Sequence, residues 1–350
     1  MTKRYIQSLF ISLIPSILAI LLVLIIGAVV ISLIGEDPIS AYSAMFSGSF
    51  GSGMAFADTL QRATPYIFGG LAFAIAAKAG LFNIGMEGQM YIGAMFAAIV
   101  GFSFHMPVYI HLPLAMIAAM AGGMLWATVP GILKIKTGAH EVITTVMLNY
   151  VAFAVTGYLT VHLFLEPGAV AQTPKVDASA ILPNFMPQTK LNLGFAIAII
   201  CAVGLYIVLY RTPLGYNIRV NGFNSIAARF AGINSHKIML LALLASGAFS
   251  GLMGAERILG VYQRFMQTFS PGYGFTAIAV ALLGRNHPLG IIPAAIIFGA
   301  LENGGETMSL MVDVPREFGP ILQALIIVVI ASTQFLGKKI SFKKRVGNHG

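Results

Sequence analysis

Charge is what this chain has least of. Only 9% of its 350 residues are Asp, Glu, Lys or Arg, against about 25% in an ordinary soluble domain. That scarcity speaks against an ordinary soluble domain. Cysteine is nearly absent too: Cys201 stands alone in an apolar run, so no intrachain disulfide can form and a small buried hydrophobe is its expected role. No G-x-x-x-x-G-K-[ST] stretch occurs, so the chain lacks that device for holding a nucleotide. Cysteine–histidine pairs are missing, and the seven histidines are scattered through the sequence. Neither a metal site nor covalent catalysis is expected, and the chain reads as something other than an enzyme, with no cofactor of its own.

What is abundant is apolar surface. Hydrophobic residues make up 57% of the chain, and its mean hydropathy is +0.85. Runs of membrane length predict an all-α polytopic membrane protein with about ten transmembrane helices: 6–34, 64–78, 88–104, 110–133, 142–164, 191–210, 238–256, 273–284, 288–304 and 319–336. The first run carries no charge from Ile6 to Ile34 and exceeds the apolar core of a cleavable signal, about 7 to 15 residues, so it is expected to stay. With the amino terminus inside, the inner segments hold fifteen Lys and Arg against Glu87 and Glu141. The outer segments hold six, among them Arg257, against ten acids that include Glu256, Glu302 and Glu306; the two sets together make the 21 basic and 12 acidic residues of the chain. This asymmetry predicts that both termini face the cytoplasm. It also removes nucleic acid as the reason for the net charge of +9, since the basic tail over 337–350 serves as a cytoplasmic anchor beside anionic lipid.

Two runs, 64–78 and 273–284, are too short to cross a hydrocarbon core of about 30 Å unless they extend into their flanks. Short or glycine-broken segments are where transporters place a substrate path. The first runs straight into "GLFNIGMEGQM" (Gly80–Met90), which sets Asn83, Glu87 and Gln89 among glycines. Lipid offers such side chains no partners, so they should face the bundle interior, either as a structural cap at a helix end or as contacts to a substrate. A second constellation, "GAHEVITTVMLNYVAFAVTGY" (Gly138–Tyr158), spaces Glu141, Thr145, Asn149 and Thr156 by four, four and seven, which is one helical face. The threonines suit interhelical hydrogen bonds, whereas the Asn149 amide can donate to and accept from a neutral polar solute. Phe82, Tyr91, Tyr150 and Phe153 are the aromatic side chains placed to make transient contacts along the same path.

The third constellation is a long basic inner loop, 211–237, within which Asn224 reads as an N-cap and Ile226, Phe230 and Ile233 recur at helical spacing. A helix over 221–233 could lie on the lipid interface or fill a groove on a soluble partner. Ala227, Ala228 and Gly232 fit the second option, because small residues let a helix approach its partner closely.

In "GLFNIGMEGQM", "EVITTVMLNY" and "RTPLGYNIRVNGFNSIAARFAGIN" the chain resembles permease subunits of bacterial ATP-binding-cassette importers, and within them the nucleoside-uptake branch of the group that includes ribose and branched-chain amino-acid permeases. The resemblance covers roughly residues 60 to 335 and implies a type II importer-like fold, a single permease domain over 1–350, and a cytoplasmic coupling loop at 211–237. It also implies the partners: a second permease subunit, identical or not, cytoplasmic ATPase subunits that use ATP, and an extracytoplasmic lipoprotein that delivers substrate at the cell membrane. On that resemblance Asn224, Ile226, Ala227, Ala228, Phe230, Gly232 and Ile233 form the ATPase-docking element. The substrate, a nucleoside, follows from the resemblance alone. Ribose or branched-chain amino acids are the nearest alternatives, an ion-coupled secondary transporter using Glu87 is a further one, and a receptor or scaffold that transports nothing is the last.

Overall fold

The computed structural model describes residues 2–168, 170–329 and 332, with side chains from Leu18 onward. The basic tail over 337–350 and the last part of the run 319–336 lie outside the described residues. Helices dominate: α1 (Thr2–Ile34), α2 (Pro38–Phe50), α3 (Gly53–Lys78), α4 (Met86–Ser103), α5 (Val108–Thr137), α6 (Glu141–Tyr158), α7 (Leu193–Arg211), α8 (Pro213–Phe223), α9 (Ser225–Phe230), α10 (Ser235–Ala255), α11 (Tyr273–Leu283) and α12 (Pro288–Met311), followed by α13 (Phe318–Val329). Among the described residues, β structure is confined to the isolated bridges Gln172–Met266 and Asn184–Asn192. Helices α6 and α10 widen into π-helical turns, Leu159–Leu163 and Glu256–Tyr262.

Every apolar run read from the sequence meets a helix. Within the described residues five helical stretches have both the length and the apolarity to cross a membrane: Val108–Thr137, Glu141–Leu163, Leu193–Arg211, Ser235–Tyr262 and Pro288–Met311. Leu18–Ile34, Tyr273–Leu283 and Phe318–Val329 are shorter apolar helices. One of the two short runs does extend into its flank. The run 64–78 is the second half of α3, which starts at Gly53 and spans 26 residues, about 39 Å at 1.5 Å per residue. Asp58, Gln61 and Arg62 interrupt its apolar pattern and hid the first half. Helix α11 is short as expected, with 11 residues, about 16 Å and hence well under the hydrocarbon thickness.

The chain forms two compact units, one of 1–59 with 300–350 and one of 60–299. In the first, Asp37 caps α2 by accepting from the amides of Ile39 and Ser40, with Pro38 preset for the first turn. The Asn303 side chain donates to the Gly48 and Ala55 carbonyls at 2.9 and 3.0 Å and so ties the corner between α2 and α3 to α12.

The second unit has its centre where α4, α5 and α10 meet. A Cβ built on Gly123 would lie 2.0 Å from the Gly247 carbonyl oxygen, and one on Gly251 would lie 2.1 Å from that of Ala119. Only glycine lets these backbones touch, which is how helices pack where lipid supplies no hydrophobic drive. Around this seam Met90, Ala94, Ala119, Ala127, Leu243 and Met253 are buried.

Candidate functional site

Helix α3 stops at Lys78 because Gly80 takes a left-handed φ of 83°. The amides of Gly80 and Leu81 then turn back to the carbonyls of Ala77 and Ala76 at 3.1 and 3.0 Å, a glycine-closed helix end. From here to Met86 the backbone is not helical and its polar groups need partners inside the bundle. Side chains supply them. Asn149 of α6 accepts from the Gly88 amide at 2.8 Å and donates to the Ile84 carbonyl at 3.1 Å. Thr145, one turn earlier, accepts from the Ile84 amide at 3.3 Å. Asn83 accepts from the Gly85 amide at 2.9 Å and donates to Gln89 Oε1 at 3.1 Å and to Ser246 Oγ of α10 at 2.8 Å. Ser250 donates to the same Gln89 oxygen at 3.3 Å.

Glu87 sits in the first turn of α4 and reaches the start of α11, where it accepts from the Ser270 hydroxyl and the Gly274 amide. A carboxylate there also meets the positive end of the α11 dipole. Asn83, Glu87, Gln89 and Asn149 are thus all buried, and all have hydrogen-bond partners within the chain. The structure brings them together around one break, and it turns none of them to an open surface. The stripe of Glu141, Thr145, Asn149 and Thr156 is likewise buried along α6, with Thr145 and Thr156 bonding back to carbonyls of their own helix. Glu141 pairs with Lys134 of α5 at 2.8 Å.

Aromatic rings crowd the same end of α4. Tyr91 is buried with its ring centroid 4.6 Å from Phe153 and 4.7 Å from Phe269, and Tyr150 stands 6.2 Å from Phe153. Tyr150 and Phe82 are exposed and Phe153 is half-buried. Phe265 and Phe269, on the segment before α11, complete this cluster and had no periodic signal in the sequence.

The inner loop folds differently from the single helix expected over 221–233. Pro213 starts α8 behind the capping hydroxyl of Thr212, and α8 runs to Phe223. Asn224 then caps a six-residue α9, accepting from Ile226 and Ala227 amides at 3.0 and 3.1 Å. Gly232, at φ 78°, closes it, with the Ile233 amide donating to the Ala228 carbonyl at 2.9 Å. The left-handed backbone at Gly232 itself calls for glycine. Ala228 is fully buried against its own chain, whereas Phe230 is 90% exposed and Ile226 also faces outward. Ala227 and Asn224 are exposed, and Ile233, beyond the helix, is half-buried. Phe223, at the end of α8, is a further large apolar side chain left 92% exposed in this loop, and was missed because it precedes the cap.

Glu256 and Arg257 lie in the π turn that continues α10. Sequence places them in an outer segment, yet both are buried, at 1% and 2% exposure. The helix does not end at 256 but continues as a π turn. Arg257 pairs with its neighbour through Nε and Nη2 at 2.6 and 2.7 Å and donates to the Gln61 carbonyl at 3.1 Å. Asn192 donates to Glu256 Oε1 at 3.0 Å. Adjacent opposite charges with further hydrogen bonds are what makes such burial tolerable.

Comparison with known proteins adds the family context. Residues 55–331 match the family model described as branched-chain amino acid transport system / permease component. The guanosine ABC transporter permease protein NupP of Bacillus subtilis is 40% identical, over 90% of this chain and 92% of its own length. The nucleoside ABC transporter permease protein NupB of Lactococcus lactis is 35% identical, over 90% and 89% of the two chains. The glucose ABC transporter permease protein TsgB13 of Haloferax volcanii is 34% identical, over 94% and 90%.

Proposed function

The chain belongs to the branched-chain amino acid transport system / permease component family, and on that premise we propose that it is the permease subunit of an ATP-driven importer of nucleosides. Family membership leaves the solute open, since a glucose permease stands at 34% identity. The observation that carries the nucleoside reading is the 40% identity to a guanosine permease over nearly the whole of both chains. A chain with membrane-spanning helices and no phosphate loop needs energy from elsewhere. Cytoplasmic ATPase subunits supply it in this reading, a second permease subunit completes the membrane part, and an extracytoplasmic lipoprotein delivers the solute. Both termini then face the cytoplasm of a bacterial cell, as the charge asymmetry of the loops requires.

Within this reading the buried amides and the carboxylate act on the path at one remove. Asn83, Glu87, Gln89 and Asn149 fix the break and the two helix starts beside it, and the exposed faces of Phe82, Tyr150 and Phe153 meet the passing base. Tyr91 backs Phe153 from inside. Stacking on a base can contribute about 1 to 3 kcal/mol where binding is tight, and a path that must release its solute uses less. The outward apolar face of Phe223, Ile226 and Phe230 docks the ATPase, capped by Asn224, with Ala227 beside it and Gly232 and Ile233 shaping the turn that follows. Ala228 anchors this helix from behind.

Co-reconstitution of the chain with the ATPase, permease and lipoprotein encoded beside it tests the reading. ATP-dependent accumulation of a purine nucleoside, without accumulation of ribose, leucine or glucose, is the expected result. Uptake of one of the other three in place of the nucleoside overturns the substrate, and uptake driven by an ion gradient without ATP overturns the class.

A further inference from the structure

Three basic or aromatic-stacked groups converge where α3, α7 and α11 end, and among the described residues no acid pairs with them. Lys78 is the last residue of α3, Arg219 lies on α8, and His287 stands in the turn between α11 and α12. Each is half-buried. The Tyr210 ring of α7 joins two of them: Arg219 lies over it at 5.1 Å, and the His287 ring is 5.2 Å from it and 5.5 Å from Tyr206. The end of α8 rests on the end of α3: a Cβ built on Gly222 would lie 2.2 Å from the Lys78 carbonyl oxygen, and the Asn221 side chain donates to the Ala79 carbonyl at 2.9 Å. Among the described residues, no carboxylate lies within ion-pair distance of Lys78 or Arg219. Of the acids that sequence assigns to this side, Glu141 is held by Lys134 and Glu87 by Ser270 and Gly274.

Charges withdrawn from water are ordinarily paired. Here two cations and an imidazole are gathered by three separate elements, with the pair missing. The turn that presents His287 is itself forced. Arg285 and Asn286 both adopt left-handed backbone, at φ 58° and 52°, without being glycine, and such outliers persist where the surroundings over-determine them.

We propose that Lys78, Arg219 and His287 form an anion site for a phosphate ester, and that its occupant is the head group of an anionic phospholipid. The site lies where α7 ends and α12 begins, two helices long and apolar enough to cross a membrane, and the end of such a helix is the depth of a phosphodiester. Lys78 and Arg219 supply its charge, His287 a ring N–H, and Tyr206 and Tyr210 the amphipathic wall common at a membrane interface. A flexible ammonium on one side and a planar guanidinium on the other suit an oxygen-rich anion approached from two directions.

The test uses the full chain in nanodiscs of phosphatidylcholine with a minor fraction of phosphatidylglycerol, extracted and weighed by native mass spectrometry. Wild type should carry bound phosphatidylglycerol in preference to phosphatidylcholine. Lys78→Gln/Arg219→Gln should retain about tenfold less. The control Lys136→Gln/Arg211→Gln removes two exposed charges from the last turns of α5 and α7 and should retain the wild-type amount, and the charge-keeping pair Lys78→Arg/Arg219→Lys should also retain the lipid. A second arm adds inorganic phosphate. Persistence of the lipid identifies the head group as the occupant, and its full displacement moves the occupant to free phosphate and overturns the lipid assignment. Equal retention by wild type and Lys78→Gln/Arg219→Gln overturns the site, as does an equal loss in the exposed-charge control or a loss in the charge-keeping pair.

Discussion

Two helices of this protein are broken inside the same unit, and they are broken in opposite ways. After α3 the chain spends 79–85 outside a helix, and the backbone groups it exposes are met by side chains from α6 and by Asn83. After α11 the break is four residues long and is met by backbone alone. The amides of Gly284, Arg285, Asn286 and His287 return to Val280, Leu282, Ala281 and Gly284 at 2.9, 3.0, 2.7 and 3.1 Å. The first solution consumes its polar side chains and in doing so fastens α4, α6 and α10 to one another. The second leaves Arg285 and His287 with side chains that serve nothing in the break itself. A polar residue beside a helix break is therefore structural in the one case and available in the other, and composition alone does not say which.

The comparison breaks or holds first at Asn149. Asn149→Leu removes two bonds at once and strands the Ile84 carbonyl and the Gly88 amide, each at about 1 to 3 kcal/mol, so a loss of about 4 kcal/mol is expected. Thermal unfolding in detergent should show a fall of many degrees, with uptake falling alongside. An unchanged unfolding temperature would mean that the first break does not depend on its side chains. The next effect sharpens the contrast with a side chain that has no internal duty. Phe230→Ala should weaken ATPase co-purification by about 2 kcal/mol, the scale of an interface anchor, and leave the unfolding temperature unchanged because the ring is exposed. Retained co-purification would move docking to the inner loop at 134–141. The smallest effect belongs to the second break. Arg285→Gly relieves left-handed strain of about 1 kcal/mol, partly offset by the freedom glycine gains when unfolded, so a gain of roughly 0.5 kcal/mol is expected. A loss of stability there would show that the Arg285 side chain supports the turn after all.

How far the sequence could be read follows the same division. Helices were legible wherever an apolar run was uninterrupted, and the α6 stripe was legible because period alone puts Glu141, Thr145, Asn149 and Thr156 on one face. All four are buried. Asn224 was legible as a cap because its chemistry is local. What could not be read depended on distant partners. Asn149 attracted notice as a solute contact, yet its partners are backbone atoms of residues 84 and 88, which no spacing within α6 reveals. Glu256 and Arg257 resemble the charged start of an outer loop, and only Gln61 and Asn192, from far along the chain, explain how they remain inside. The first half of α3 was hidden for a related reason, since Gln61 and its polar neighbours lower the apolar signal of a helix that continues regardless.

The glycine seam between α5 and α10 has a mechanical consequence. Surfaces made of side chains can yield by rotating about their bonds, but here backbone rests on backbone, with the Gly123 and Gly247 carbonyls each where the other residue's Cβ would stand. Such a joint has no soft coordinate and resists both shear and compression. Helices α5 and α10 therefore behave as one stiff strut, with α4 clamped to it through Gly93 and Gly254. Whatever displacement a transport cycle demands of this unit must be taken up away from that seam, as in the segment 231–234 that leads into α10.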